Sequence, residues 1–227
     1  MKKVPKTDTT SLKTIPLFQE LSPAELNALR PHLKENFFDK GDMLFSEGDS
    51  CRRIMIVLSG RVKIFRTSAS GREQILEVLE SGDTCACHPG AAAWSCSSSA
   101  EALASSRILF LSREGYDRLV RTSHKATQKL NRIFAERLCR FSSLLEGVAL
   151  DDPRRRIVKF ILGMVKSHNG QPPAPVLSLT HEEIAMRIGL VRETVTRHLQ
   201  QLKGNGLIDI QPRRIVVLDP EGLRKLL

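Results

Sequence analysis

The chain has 227 residues and a mass of 25.4 kDa, room for one large domain or two small ones. Hydrophobic residues make up 41% and charged residues 26%, which excludes a disordered composition, and no apolar run reaches the roughly 18–20 residues that cross a bilayer. The net charge of +10 is uneven: residues 1–120 carry 16 basic and 15 acidic side chains, residues 121–227 carry 19 and 10. A neutral first half joined to a basic second half suggests a sensor or catalytic domain fused to one that binds a polyanion.

The first residues, MKKVPKTDTTSLKT, are basic but lack the apolar core of a secretion signal. Export and membrane partners are disfavoured, and a cytoplasmic place is expected. Ser22-Pro23-Ala24-Glu25 reads as a helix start, with Leu26, Leu29 and Leu33 following at helical spacing. Residues 35–112 read as strands. Gly41-Asp42, Gly48-Asp49, Gly60, Gly71 and Gly82-Asp83 punctuate runs such as Ile54–Leu58, Val62–Phe65, Ile75–Leu79 and Arg107–Leu111. That spacing predicts an antiparallel jelly roll. Helical periodicity returns over 113–146, where Ala126, Leu130, Ile133, Phe134, Leu138, Phe141 and Leu145 form one stripe. A stripe this long suits a dimerising helix, and Leu130, Phe134, Leu138 and Phe141 are its expected seam. Asp151-Asp152-Pro153 starts a further helix with Ile157, Phe160, Ile161, Met164 and Val165 on one face. The stretch Asn169 to Pro175 then breaks the chain.

Residues 179–218 hold the most informative motif. Thr180 and Glu183 form a capping box, Ile184, Ala185 and Ile188 an inner face, and Gly189 a sharp turn. A second helix follows from about Val191, with Val195, Leu199 and Leu202 inward and Arg192, Glu193, Thr196 and Arg197 outward. Arginine can bond guanine O6 and N7 in two-pronged fashion, and glutamate can accept from cytosine N4. Two strands then flank Gln211-Pro212-Arg213-Arg214, a wing whose tip arginines can meet phosphates. Thr180, Arg192, Glu193, Thr196, Arg197, Arg213 and Arg214 are the candidate DNA-binding residues, and double-stranded DNA is the expected partner.

Over nearly its whole length the chain resembles the Crp/Fnr family of bacterial transcription regulators. The first half carries the likeness in Gly41-Asp42, Gly48, Gly60-Arg61-Val62-Lys63-Ile64 and Gly82-Asp83. The second carries it in Glu182-Glu183-Ile184-Ala185 and in Arg192-Glu193-Thr194-Val195-Thr196-Arg197. The last matches the Arg-Glu-x-x-x-Arg pattern of the cyclic AMP receptor branch. The resemblance implies an α+β chain with a cyclic-nucleotide-binding-type β-roll at 1–120, a dimerisation helix at 121–149 and a winged helix-turn-helix at 150–227. It also implies homodimers on inverted-repeat operators and contact with RNA polymerase.

The effector cassette departs from that branch. After Gly82-Asp83 comes Thr84-Cys85-Ala86-Cys87-His88-Pro89-Gly90. Cys87 replaces the ribose-binding Glu, and Ser98-Ser99-Ala100 replaces Arg-Ser-Ala. The cation that would pair with a cyclic phosphate is gone, so cyclic AMP is disfavoured. Cys85, Cys87, His88 and Cys96 instead form a candidate effector site for redox chemistry, a metal or a metalloid. His88 resembles in position the haem-binding histidine of the carbon-monoxide-sensing branch, which leaves a haem-based CO or NO sensor as the alternative. Five cysteines are an odd count in a chain expected to be cytosolic, which argues against a disulfide framework. Cys51 and Cys139 are expected to be structural. A cupin-like metalloenzyme is the rival from another class, but only His88 of six histidines sits near other ligands inside the β-roll. No nucleophile–base pair or phosphate-binding loop appears either, so no enzyme is expected.

Overall fold

The computed structural model describes residues 12–50, 53–85, 95–166, 176–212 and 214–227. The chain divides into two units, Met1–Leu138 and Cys139–Leu227.

A short helix, α1 (Pro23–Leu29), precedes the strands of the first unit. Its capping box is the one the sequence shows: Ser22 N–H donates to Glu25 Oε2 at 2.7 Å, and Glu25 N–H donates to Ser22 Oγ at 3.3 Å. The expected helical stripe stops early. Pro31 lies in a 3-10 turn, Arg30–His32, and Leu33 begins a strand. Proline lacks the N–H that would continue the α-helix.

Among the described residues eight strands follow: β1 (Leu33–Phe38), β2 (Met43–Phe45), β3 (Arg53–Ser59), β4 (Val62–Thr67), β5 (Glu73–Leu79), β6 (Thr84–Cys85), β7 (Ser99–Ala102) and β8 (Ser106–Ser112). They form two four-stranded antiparallel sheets, β1-β8-β3-β6 and β2-β7-β4-β5. This is the expected jelly roll, and strand β3 shows how it is packed. Met55 and Val57 join Val62, Ile64, Leu79, Ala100, Ile108 and Phe110 between the sheets. Ile54 and Ile56 point the other way, into a cluster with Leu12, Phe18, Leu26, Leu29, Leu109 and Leu111. Both faces of β3 are covered, so its apolar run is continuous rather than alternating.

The three Gly-Asp pairs make one repeated turn. In each the Asp carboxylate accepts the N–H three residues back, from Asp39 to Asp42, Ser46 to Asp49 and Glu80 to Asp83, all at 2.8 Å. The glycine N–H meanwhile donates to a distant carbonyl, that of Ala102, Cys96 or Val57 respectively. Such side-chain-to-backbone closure is what Asp contributes to turns. Gly60 is constrained further, with φ +92° and Ser106 Oγ 2.2 Å from where a Cβ would stand.

The expected helical stretch over 113–146 is two helices, α2 (Arg113–Thr122) and α3 (His124–Leu150), separated at Ser123. The stripe on α3 is not uniform. Ala126 and Leu130 are buried in the β-roll's own helix-side cluster and Phe134 packs against it, whereas Leu138 and Leu145 are 67% and 70% exposed. Leu130 is therefore turned inward, into this unit, and does not stand in an open seam.

The second unit contains α4 (Pro153–Lys166), β9 (Val176–Leu177), α5 (His181–Ile188), α6 (Arg192–Gly204), β10 (Ile208–Gln211), β11 (Arg214–Val217) and α7 (Pro220–Arg224). The sheet order is β10-β11-β9, so the wing gains a third strand that the sequence reading lacks. Ile157, Ile161 and Val165 of α4 pack with Ile184, Val195, Leu199, Leu202, Ile208 and Ile215 in one core.

Candidate nucleic-acid interface and effector cassette

The helix-turn-helix is built locally. Thr180 caps α5: Glu183 N–H donates to Thr180 Oγ1 at 3.1 Å, and Thr180 N–H donates to Glu183 Oε2 at 2.7 Å. Gly189 closes the helix in the left-handed region at φ 69°, where a side chain would be strained. Helix α6 then buries Val195, Leu199 and Leu202. Since these fix its rotation, Glu193 and Arg197 are left exposed on the opposite side, and Arg192 is exposed as the first residue of the helix. Lys203 near the end of α6 bonds Asp209 Oδ1 of β10 at 3.0 Å, tying the helix to the wing. Hydrogen bonds from Lys203 and then Gln211 hold the Asp209 carboxylate below its ordinary value of 3.8.

Thr180, Arg192 and Arg214 are brought together. They line a cleft of about 370 Å³ with Leu179, His181, Glu182, Gln211 and Ile215. Exposed arginines from a helix and a wing strand, with the N-terminus of α5 beside them, suit an anionic backbone. Arg213 lies outside the described residues. Thr196 differs from its neighbours, being half-buried, with its Oγ1 2.9 Å from His181 Nδ1. Burial, and then the nearby Arg192 guanidinium, hold His181 below the ordinary imidazole pKa. The sequence reading missed His181, because its partner is fifteen positions away on another helix.

In the β-roll, Cys85 is 6% exposed and packs between the sheets opposite Met55. Cys96 is 4% exposed and packs against Phe45 and Tyr116. Its backbone is clamped by the Gly48-Asp49 turn, with Gly48 N–H donating to Cys96 O at 2.8 Å and Cys96 N–H to Asp49 O at 2.9 Å. Phe45 touches both cysteine neighbourhoods. Cys87 and His88 lie outside the described residues, as does Cys51. Cys139, expected to be structural, is exposed on α3. Among the described residues no three His, Cys, Asp or Glu side chains converge as metal ligands. Ser98 is 6% exposed, so a small neutral side chain is buried one position before β7.

Ion pairs centred on Arg137 and on Lys63 in this unit are invisible to the sequence reading. Arg137 of α3 reaches back to the roll, donating from Nη2 to Thr84 O at 2.7 Å, with Nε 2.9 Å from Glu77 Oε2. The two side chains are only 14% and 12% exposed. Lys63 of β4 lies 2.6 Å from Glu73 and 3.0 Å from Glu101, bridging its two neighbouring strands.

Residues 35–123 match the cyclic nucleotide-binding domain family, and residues 155–226 match the Crp-like helix-turn-helix domain. The chain is 27% identical over 215 residues to the cyclic AMP receptor protein of Thermus thermophilus, covering 95% of this chain and 98% of that one. It is 28% identical over 216 residues to a CRP-like cAMP-activated global transcriptional regulator of Mycobacterium tuberculosis, covering 92% and 95%. Among solved structures, a CooA mutant from Carboxydothermus hydrogenoformans superposes with a TM-score of 0.79 at 21% identity, over 98% of this chain and 97% of that one. These relatives are regulators, not enzymes, and among the described residues no helix is long and apolar enough to cross a membrane. By its fold, its two matched domains and their order, the chain belongs to the Crp/Fnr family of transcriptional regulators.

Proposed function

We propose that the chain acts as a homodimer on inverted-repeat DNA, with α6 reading base edges in the major groove and its regulation set by a thiol-bearing cassette rather than by cyclic AMP. The observation that carries the DNA reading is the two-faced α6: Val195, Leu199 and Leu202 buried, Arg192, Glu193 and Arg197 exposed. The N-terminal turns of such a helix are the ones that reach base edges. Arg213 and Arg214 on the wing and Thr180 at the cap contact phosphates. Two half-sites of GTGA-like sequence lie about one helical turn apart, and RNA polymerase is the further partner the family implies.

The effector reading rests on what stands in the cassette. Family members that bind cyclic AMP hold its ribose and phosphate through Glu and Arg, and Cys87 and Ser98 stand there instead. A buried cyclic phosphate without a guanidinium lacks its main charge partner. Thiols are suited to soft metals, metalloids and reversible oxidation. Thr84–Cys85 is the strand that Arg137 grips from α3, so a change at the cassette has a physical route to the helix.

The test is fluorescence anisotropy with an inverted-repeat duplex, in reduced, oxidised and metal-loaded protein, with and without cyclic AMP. Specific binding that responds to thiol state or metal and ignores cyclic AMP is expected, and Cys85→Ser, Cys87→Ser and Cys96→Ser should uncouple that response. Switching by cyclic AMP alone, with the cysteine variants responding as the parent does, overturns the effector reading. An absorption spectrum of the purified protein with a haem band would move the assignment to a gas sensor.

A further inference from the structure

We propose that His181 sets which way the Thr196 hydroxyl faces a base, making it a specificity-determining residue of the DNA-reading surface whose setting changes on protonation. The inference rests on the reading that α6 enters the major groove.

A threonine hydroxyl has one proton to give and two lone pairs. Thr122 and Thr127 give theirs to the carbonyl four residues back, that of Arg118 at 2.9 Å and of Ser123 at 3.1 Å, as helical threonines commonly do. Thr196 makes no such bond among the described residues. Its hydroxyl meets His181 Nδ1 at 2.9 Å instead. The imidazole therefore decides the direction of that bond. A neutral ring ordinarily carries its proton on Nε2, so Nδ1 accepts the Thr196 proton. The hydroxyl then offers only lone pairs outward, and reads a donor such as cytosine N4 or adenine N6. A protonated ring has N–H on both nitrogens and must donate to Thr196. The hydroxyl proton is then released outward, and reads an acceptor such as guanine O6 or thymine O4.

Among the described residues, the charged groups that line the cleft with His181 are Glu182 on its own helix, Arg192 on α6 and Arg214 on β11. Burial and Arg192 favour the neutral ring in the free protein, while DNA phosphates entering the cleft favour the charged one. Protonation beside phosphates raises affinity for every sequence alike. The choice between base pairs at one position is free of that common effect, and is therefore the quantity to measure.

The experiment uses the full-length protein and duplexes carrying each of the four base pairs at each half-site position, at about pH 8 and about pH 5, the lower value set by the burial and Arg192 that hold His181 below the ordinary imidazole range. One position per half-site should change its preference, from pairs offering a donor to pairs offering an acceptor, by about two- to tenfold, the worth of one hydrogen bond. His181→Asn, which can still bond Thr196 but does not titrate, should abolish the shift, and His181→Phe should do the same. Thr196→Val should remove both preference and shift at that position. Circular dichroism reports whether each variant is folded. A shift that persists in His181→Asn, as one from the half-buried His198 of the same helix would, overturns the proposal, and so does a parent protein whose preferences are the same at both pH values. Loss of all Arg197-dependent preference is a separate outcome: it removes the groove reading, and this inference with it.

Discussion

Leu138 and Leu145 stand seven residues apart on α3, two turns along one stripe, and are 67% and 70% exposed. Under the dimer reading Leu138 belongs to the seam, and Leu145 continues its stripe. Burying a whole leucine side chain is worth about 1.5–3 kcal/mol, and two thirds of that is still available at each position, roughly 1–2 kcal/mol. An isologous seam counts every residue twice, so Leu138→Ala should cost the dimer about 2–4 kcal/mol. At about 1.4 kcal/mol per decade, the dissociation constant rises roughly 30-fold to several hundred-fold. Leu138→Glu goes further, placing a carboxylate from each protomer at a dry contact. Sedimentation velocity over a concentration series reads the constant directly. Leu130→Ala is the matched control. Leu130 is 1% exposed in the β-roll's own core, so its truncation should lower folding stability by about 2–5 kcal/mol and leave assembly of the folded protein largely intact. If Leu138→Glu sediments as a dimer with the parent's constant, the seam lies elsewhere.

Gly60→Ala should lower the melting midpoint more than Gly41→Ala. Both glycines have φ near +92°, but only at Gly60 would the new Cβ meet Ser106 Oγ at 2.2 Å and Ser105 O at 2.7 Å. The first cost is backbone strain of about 1–2 kcal/mol, shared by both, and denaturant melts should show the excess at Gly60. Arg197→Ala should cost about 1–3 kcal/mol on the matched operator and relax preference at one base pair, while Arg214→Ala should weaken all sequences alike and lower the salt slope. Anisotropy titrations on matched and mismatched duplexes separate the two, and equal losses on both duplexes for Arg197→Ala would remove it from base reading. The Asp209 carboxylate is held below 3.8 by Lys203 and Gln211, so its contribution is present above that pH and lost as pH falls through the lowered value. The protection factors of β10 amides, with intrinsic exchange divided out, should therefore fall in acid, and Asp209→Asn should blunt the change.

What the sequence made legible was local. The two capping boxes, the Gly189 turn and the two faces of α6 each follow from residues within a few positions, whose backbone needs are met nearby. The Gly-Asp turns were legible as punctuation, although their shared design depends on carbonyls of Ala102, Cys96 and Val57 far along the chain. What escaped was non-local. The Arg137–Glu77 pair spans sixty positions, and neither residue is distinguished by its neighbours. The α3 stripe runs unbroken from Ala126 to Leu145, and periodicity marks a buried face without saying what buries it. Its beginning is covered by this chain's β-roll, while Leu138 and Leu145 are left bare. Leu33 failed for a third reason: its helical spacing was real, but Pro31 ended the helix before it.

The placement of α3 is what makes regulation by the cassette physically reasonable. Ala126 and Leu130 seat the helix in the β-roll core, and Arg137 is bonded to Thr84 O, one residue before Cys85. The next residue along is Leu138, the first of the bare leucines. Two rigid attachments thus precede the exposed stripe, and the second is made to the strand that enters the cassette. Arg137 has its guanidinium nearly buried beside Glu77. Such a pair does not slacken by degrees, since separating it strands a charge in a dry place at a cost of about 3–5 kcal/mol. It therefore holds one arrangement or gives way to another, the property a switch requires. Under the proposed function, an effector that pulls on the Thr84–Cys85 strand would act on this pair, and through it on the helix at the point where the exposed leucines begin. For the signal to be felt, the effector must bind the two arrangements with different affinity, and a ligand that fits both equally shifts nothing.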